Sequence, residues 1–230
     1  MVIGIIALLI AILLPTLGKA RESARRAACL SNLRQVSIAF RFYAMNNRDQ
    51  VPLGYRAKTK QFNSMVYSAT SKRLVLFGWL YQAGLMTPAE VFFCPSNNDP
   101  QSTYNTPNNI WPPGPEFVSA NQVYSGYACR PEIELPDDSA QYETDPPGTW
   151  QPMPRLTRFK NKAIFGDLTA TPSRVDTRHR AGINALYGDG SAGWVDRKTF
   201  NDPLSHCPAV AINNPAINQL QDQIWQSLDR

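Results

Sequence analysis

His179 stands ten residues before Asp189, and Asp167 precedes both on a neighbouring candidate strand. One imidazole and two carboxylates on adjacent strands are the ingredients of a hydrolytic or metal centre. Histidine exchanges protons near neutral pH, and a carboxylate can orient it or bind a cation. A hydrolase also needs an activated nucleophile, and a G-x-S-x-G elbow is absent from the sequence. The four cysteines, Cys29, Cys94, Cys129 and Cys207, contain no C-x-x-C pair, and the only histidines are His179 and His206. Zinc ligation of familiar spacing is therefore not indicated. The favoured reading of His179, Asp189 and Gly190 is structural. His179 donates a hydrogen bond across a hairpin, to Asp167 or to a turn carbonyl, and pins its geometry. No catalytic, cofactor-binding or metal-binding residue is assigned, and the chain is not read as an enzyme. In an exported chain the cysteines could pair in three ways; Cys94 with Cys129 is preferred because both flank one long loop, with free thiols as the alternative.

Several elements must position these residues. Ala163 to Leu168 reads as one strand, and Ile183–Tyr187 and Ala192–Val195 as two more around Gly188-Asp189-Gly190-Ser191. Asp-Gly between apolar runs is a strong hairpin cue, since glycine accepts the positive φ such turns require. Asn214-Pro215 supplies an N-cap and a first-turn proline, after which Ile217, Leu220, Ile224 and Leu228 mark a helix with one apolar face. Lys72 to Gln82 reads as a short buried helix, and Phe92 to Pro95 as an extended segment. Ser96 to Asn121 looks like a surface excursion. Glu132 to Asp145 carries six acids and no base; a structural calcium is conceivable there, although the spacing of an EF-hand is missing.

The N-terminal segment differs from all of this. The first 18 residues carry no charged side chain, and Val2 to Leu14 is Val, Ile, Leu, Ala and one Gly. A bilayer core takes roughly 20 such residues as helix, so Met1 to Gly18 is slightly short of a span. No basic n-region or small-x-small cleavage site marks a removed signal, and an anchor is the better reading. From Lys19 onward, Leu30, Leu33, Val36, Phe40 and Tyr43 recur at helical steps, with no breaker before Asn46. One continuous helix to about residue 45 follows, kinked and not ended by Pro15.

Of 230 residues, 43% are apolar and 18% charged, enough to bury a core and too apolar for wholesale disorder. The net charge of +5 sits wholly between Lys19 and Arg41, where six basic residues face Glu22; the remaining 17 basic and 17 acidic residues cancel. A basic nucleic-acid-binding domain is excluded on that distribution.

Two blocks together resemble a known group. MVIGIIALLIAILLPTLGKARESARRAACLSNLRQ is similar to the amino-terminal helix of prepilin-type proteins, the type IV pilins and type II secretion pseudopilins, from just after their cleavage site. His179 with nine residues before Asp189-Gly190 matches the H-x9-D-G signature of a pilin-like bacterial family, and FFCPS at Phe92 to Ser96 is typical of that group. The resemblance implies an α+β fold: a long N-terminal helix, membrane-embedded in its first half, packed on an antiparallel sheet with long loops. Its divisions would be residues 1–18 in the membrane, 19–46 as the amphipathic half, and 47–230 as the body. It further implies a single-pass protein of the bacterial inner membrane with its body in the periplasm. Such a subunit assembles with identical or related pilin-like subunits through an inner-membrane machinery, without nucleic acid. Members carry an upstream leader for a prepilin peptidase, a cleavage-point Gly and an F-T-L-V-E stretch, so an in-frame extension before Met1 is expected. The competing reading is a membrane-tethered envelope enzyme or ligand-binding module using His179, Asp167 and Asp189.

Overall fold

A computed structural model of the chain describes residues 2–56, 58–69, 72–112, 122–134, 153–212 and 214–230, without the side chains at 2, 4, 5, 7 and 8. The acidic calcium candidate lies outside the described residues beyond Glu134.

Helix α1 runs unbroken over Val2–Asn46, about 68 Å at 1.5 Å per residue. Pro15 lies inside it. A proline removes one backbone donor; beside it the Thr16 hydroxyl donates to the Leu13 carbonyl at 2.8 Å. The helix ends where Arg48 and Asp49 turn left-handed, with φ of 53° and 69°, and Asp49 N–H returns to the Ala44 carbonyl at 2.8 Å.

The two halves of α1 meet different surroundings. Every described large apolar side chain from Ile3 to Leu17 is exposed. Beyond Gly18, Cys29, Leu33, Val36, Phe40 and Tyr43 are buried at steps of four, three, four and three. Leu30, expected on this stripe, is only half-buried: one residue on from Cys29 is about 100° around a helix of 3.6 residues per turn, and Cys29 takes the inward position.

Strands β1 (Gly54–Tyr55) and β6 (Ile133–Glu134) pair in parallel. Strand β2 (Met65–Ser68) lies between β3 (Arg73–Leu74) and β4 (Val123–Tyr124) in a small antiparallel sheet. The main sheet is antiparallel in the order β5 (Tyr127–Cys129), β7 (Ala163–Asp167), β8 (Gly182–Tyr187), β9 (Ala192–Asp196). Lys72 to Gln82 is not one helix. Arg73–Leu74 pairs with β2, Leu76 takes φ 49°, and only Gly78–Gln82 forms helix α2. A Cβ at Gly78 would overlap the Val66 carbonyl, so glycine lets the helix start against β2. Ala89–Phe92 forms a 3-10 turn, after which Phe93 is extended.

Alternation along β8 divides two cores. Ile183, Ala185 and Tyr187 join Phe200, Leu204, Ile224 and Trp225, whereas Leu186 joins the α1 stripe and Phe165. A period of two sends successive side chains to opposite faces. Helix α1 therefore covers one face, where Phe40 and Phe77 meet Phe165 edge-on at 5.6 and 5.3 Å. The other face carries α4 (Asn201–Ser205) and α5 (Asn218–Ser227), and α3 (Pro172–Asp176) precedes β8. Asn214 caps the last helical segment by accepting from Ala216 N–H at 3.0 Å. The fold is α+β, with a long N-terminal helix followed by antiparallel sheets.

Candidate functional site

His179 sits in the turn between α3 and β8, its carbonyl accepting from Gly182 N–H at 2.9 Å. Its imidazole, 1% exposed, faces α1. Nδ1 lies 2.8 Å from Glu22 Oε1, and Glu22 also accepts from Arg26 Nε at 3.0 Å. The Arg26 guanidinium stacks 3.9 Å from the centre of the Trp194 ring, and His179 meets that ring edge-on. The expected partner of His179 was Asp167 or a turn carbonyl. Asp167 Oδ2 is 3.9 Å from Nε2, beyond hydrogen-bond reach, and the close partner is a helix residue 157 positions upstream.

Around Nε2 the fold gathers residues that spacing gives no reason to group. Cys94 Sγ lies 3.6 Å away, and Cys29 Sγ is 2.7 Å from Cys94 Sγ. Ligand atoms of Cys29, Cys94, Asp167 and His179 all lie within 4.8 Å of one another. Cys29 comes from the α1 stripe. Cys94 follows the 3-10 turn, where Asn32 Nδ2 donates to the Phe93 carbonyl at 3.3 Å and the Ser125 hydroxyl to Phe92 at 2.5 Å. A Cβ at Gly126 would come within 2.7 Å of Cys94 N, so glycine permits the approach. Asp167 ends β7, and its Oδ2 accepts from Asn184 N–H and Nδ2 at 2.7 and 3.2 Å. Among the described residues its Oδ1 has no hydrogen-bond partner.

The electrostatics follow from this enclosure. Burial pushes the His179 imidazole down, but contacts with Cys29, Asp167 and Glu22 overrule it and raise its pKa to about 9. The Cys94 contact holds Cys29 down at about 6 against its burial. Burial raises Cys94 well above the ordinary thiol value, and raises Asp167 despite the nearby imidazole. Burial also acts upward on Glu22, yet hydrogen bonds from His179 and Arg26 leave it below the usual carboxylate value. A cleft of about 500 Å³, lined by Glu22, Arg26, Arg178 and His179 among others, opens beside the cluster.

Asp189 is elsewhere. It lies at the far end of β8, and its Oδ1 accepts from Ser191 N–H and Oγ at 2.8 and 2.6 Å. Those bonds hold its carboxyl below the usual range. Gly190 has φ 86°, and the Asp189 carbonyl accepts from the Arg41 guanidinium. The three residues of the enzyme reading thus do not form one centre. His179 and Asp189-Gly190 instead touch α1 at two points, Glu22 and Arg41, about 28 Å apart along the helix. Cys94 does not face Cys129, whose thiol lies against the Gly54 and Asn63 carbonyls at 3.2 and 3.3 Å. The four thiols are free here, and flanking one loop in sequence places no constraint on where two strand and turn residues point.

Residues 18–89 match the family model described as a protein of unknown function (DUF1559). The match takes in Glu22 and Cys29 and stops short of Cys94, Asp167 and the H-x9-D-G segment. No curated protein and no solved structure matches the chain.

Proposed function

We propose that the chain is a structural, non-catalytic subunit of the bacterial cell envelope, pilin-like in design. In this reading it is held at the inner membrane and assembles with identical or related subunits into a periplasmic filament of a type II secretion or type IV pilus-like system. The observation that carries the reading is the unequal α1. Its second half is fastened to the sheet, and its first half extends with apolar side chains exposed on all described sides. Burying one Leu or Ile is worth roughly 1.5–3 kcal/mol. The eight exposed ones between Ile3 and Leu17 therefore favour lipid or sister helices over water by more than about 10 kcal/mol before ordering costs.

Among the described residues no helix is long and apolar enough to cross a membrane. Residues 3–17 cover about 22 Å, against roughly 30 Å of hydrocarbon, and Lys19 begins the basic stretch. Shallow insertion of the arm meets the same need, and the basic residues at 19–26 suit anionic headgroups. A second apolar stripe, Ile38, Phe42 and Met45, faces away from the body at 53%, 50% and 78% exposure and suits packing between neighbouring helices.

The test is fractionation of the tagged full chain from the native cell. The wild type is expected in the membrane pellet, resistant to high salt and released by detergent. Leu9→Lys with Leu13→Lys is expected to move it to the soluble fraction. A wild type that is soluble without detergent would overturn the reading.

A further inference from the structure

We propose that Cys29, Cys94, Asp167 and His179 form a closed four-ligand site for a zinc-type divalent cation, which locks α1 to the body. The inference stands apart from the filament reading, since a staple of this kind would serve any role of the helix.

The donor set is two sulfurs, one imidazole nitrogen and one carboxylate oxygen. Zinc takes these three donor types in four-coordinate, tetrahedral structural sites. Copper(I) or an iron–sulfur cluster would favour a more uniformly sulfur set. All four residues are buried, at 0%, 3%, 1% and 1% exposure, and each comes from a different segment: α1, the turn after Ala89–Phe92, the end of β7 and the turn before β8.

The distances are close to a coordination shell. Zinc–sulfur bonds of 2.3 Å and zinc–nitrogen bonds near 2.0 Å put neighbouring ligand atoms about 3.3–3.8 Å apart in a tetrahedron. The Cys94–His179 and His179–Asp167 separations are 3.6 and 3.9 Å. The Cys29–Cys94 separation of 2.7 Å is shorter than such an edge, and coordination would open it by about 1 Å.

The surroundings are those of an orienting outer shell. Glu22 holds His179 at Nδ1, which leaves Nε2 directed at the cluster, the carboxylate–histidine–metal arrangement. Asn184 holds Asp167 by Oδ2 and leaves Oδ1 buried without a partner among the described residues. The Tyr127 ring lies tilted against Phe165, and its buried hydroxyl is raised in pKa by burial and by the neighbouring thiols. Two thiolates, a carboxylate and a divalent cation sum to one negative charge, which buried Arg178 beside Asp167 and Cys94 offsets, as Arg26 offsets Glu22.

A Cys29–Cys94 disulfide is the competing use of the thiols. It would engage two of the four groups and leave the His179 imidazole and the Asp167 carboxylate, 3.9 Å apart, buried without a shared partner. A cation engages all four. At neutral pH binding displaces the Cys94 thiol proton and the proton on His179 Nε2 into solvent, so affinity falls as pH is lowered.

The experiment uses the full chain in detergent, purified without chelator or added reductant. Elemental analysis is expected to give one zinc per chain, and cobalt(II) exchanged into the site is expected to show a thiolate-to-metal charge-transfer band. Cys29→Ser, Cys94→Ser and the near-isosteric Asp167→Asn should abolish the stoichiometric metal, whereas Cys129→Ser and Cys207→Ser should retain it. Glu22→Gln, which leaves all four ligands, should weaken zinc binding about 10–100-fold. Circular dichroism of Asp167→Asn checks that the variant is folded. The proposal is overturned by a peptide map showing Cys29 joined to Cys94, by folded wild type that takes up neither zinc nor cobalt, or by metal retained equally in Asp167→Asn and Cys94→Ser.

Discussion

Leu33 and Ile38 lie on opposite faces of one helix, and the contrast between them isolates the docking of α1. Leu33 is completely buried beside Val36 and Phe40 against the sheet, whereas Ile38 is 53% exposed. Truncating a buried Leu to Ala costs 2–5 kcal/mol, the lost transfer energy plus the cavity left behind. The tight aromatic ring around Phe165 leaves little room for collapse, so about 3 kcal/mol is expected for Leu33→Ala. For a chain of this size that is a fall in Tm of about 6–12 °C. Ile38→Ala changes helix propensity slightly and should stay within about 0.5 kcal/mol in detergent-dispersed monomer. Leu33→Asp adds the cost of burying a carboxyl and should release α1 from the body altogether. Thermal unfolding followed by tryptophan fluorescence reads all three, since Trp194 stacks against Arg26 of α1. Equal midpoints for Leu33→Ala and Ile38→Ala would refute the assigned docking face.

Gly190→Val places a Cβ on the Arg41 guanidinium and forces a branched residue to φ 86°, so a loss of about 2–3 kcal/mol in urea unfolding is expected, against about 1 kcal/mol for Arg41→Ala. Asp229→Asn leaves the buried Arg130 guanidinium with Glu132 at 3.5 Å as its carboxylate and the Ala163 and Trp225 carbonyls as neutral acceptors, where Asp229 had made contacts of 2.7 and 3.2 Å; about 2–3 kcal/mol should be lost in the same assay. Burial raises the Cys129 thiol to about 12, so its contribution is complete below the ordinary value of 9 and declines as pH rises from there toward 12. Stability measured at pH 8 and 10 should therefore fall by about 1.4 kcal/mol more in the wild type than in Cys129→Ala.

What could be read in the sequence was local. The hairpin about Gly188 to Ser191, the Asn214-Pro215 start of the last helical segment and the continuity of α1 through Pro15 each follow from neighbouring residues and their backbone preferences. The Lys72 to Gln82 segment departs from the expected helix because its apolar content suits a helix or a strand equally, and pairing with Met65–Ser68 decides the matter. The cluster around His179 was illegible for a stronger reason. Cys29 and Cys94 are 65 positions apart, and Glu22 and His179 are 157 apart, so no spacing rule links them. One signal was present: Cys29 stands four residues, about one helical turn, before Leu33 on the apolar stripe, which places a thiol, not a surface residue, against the body.

The proposed assembly requires α1 to meet the α1 of other copies. A photo-crosslinking amino acid placed at Phe42, on the outward stripe, and activated in the native cell tests that contact directly. Covalent ladders of the chain itself are expected from position 42 and not from Lys198, at the exposed start of the segment after β9. Position 42 yielding only monomer, or adducts with lipid alone, would contradict assembly through this helix.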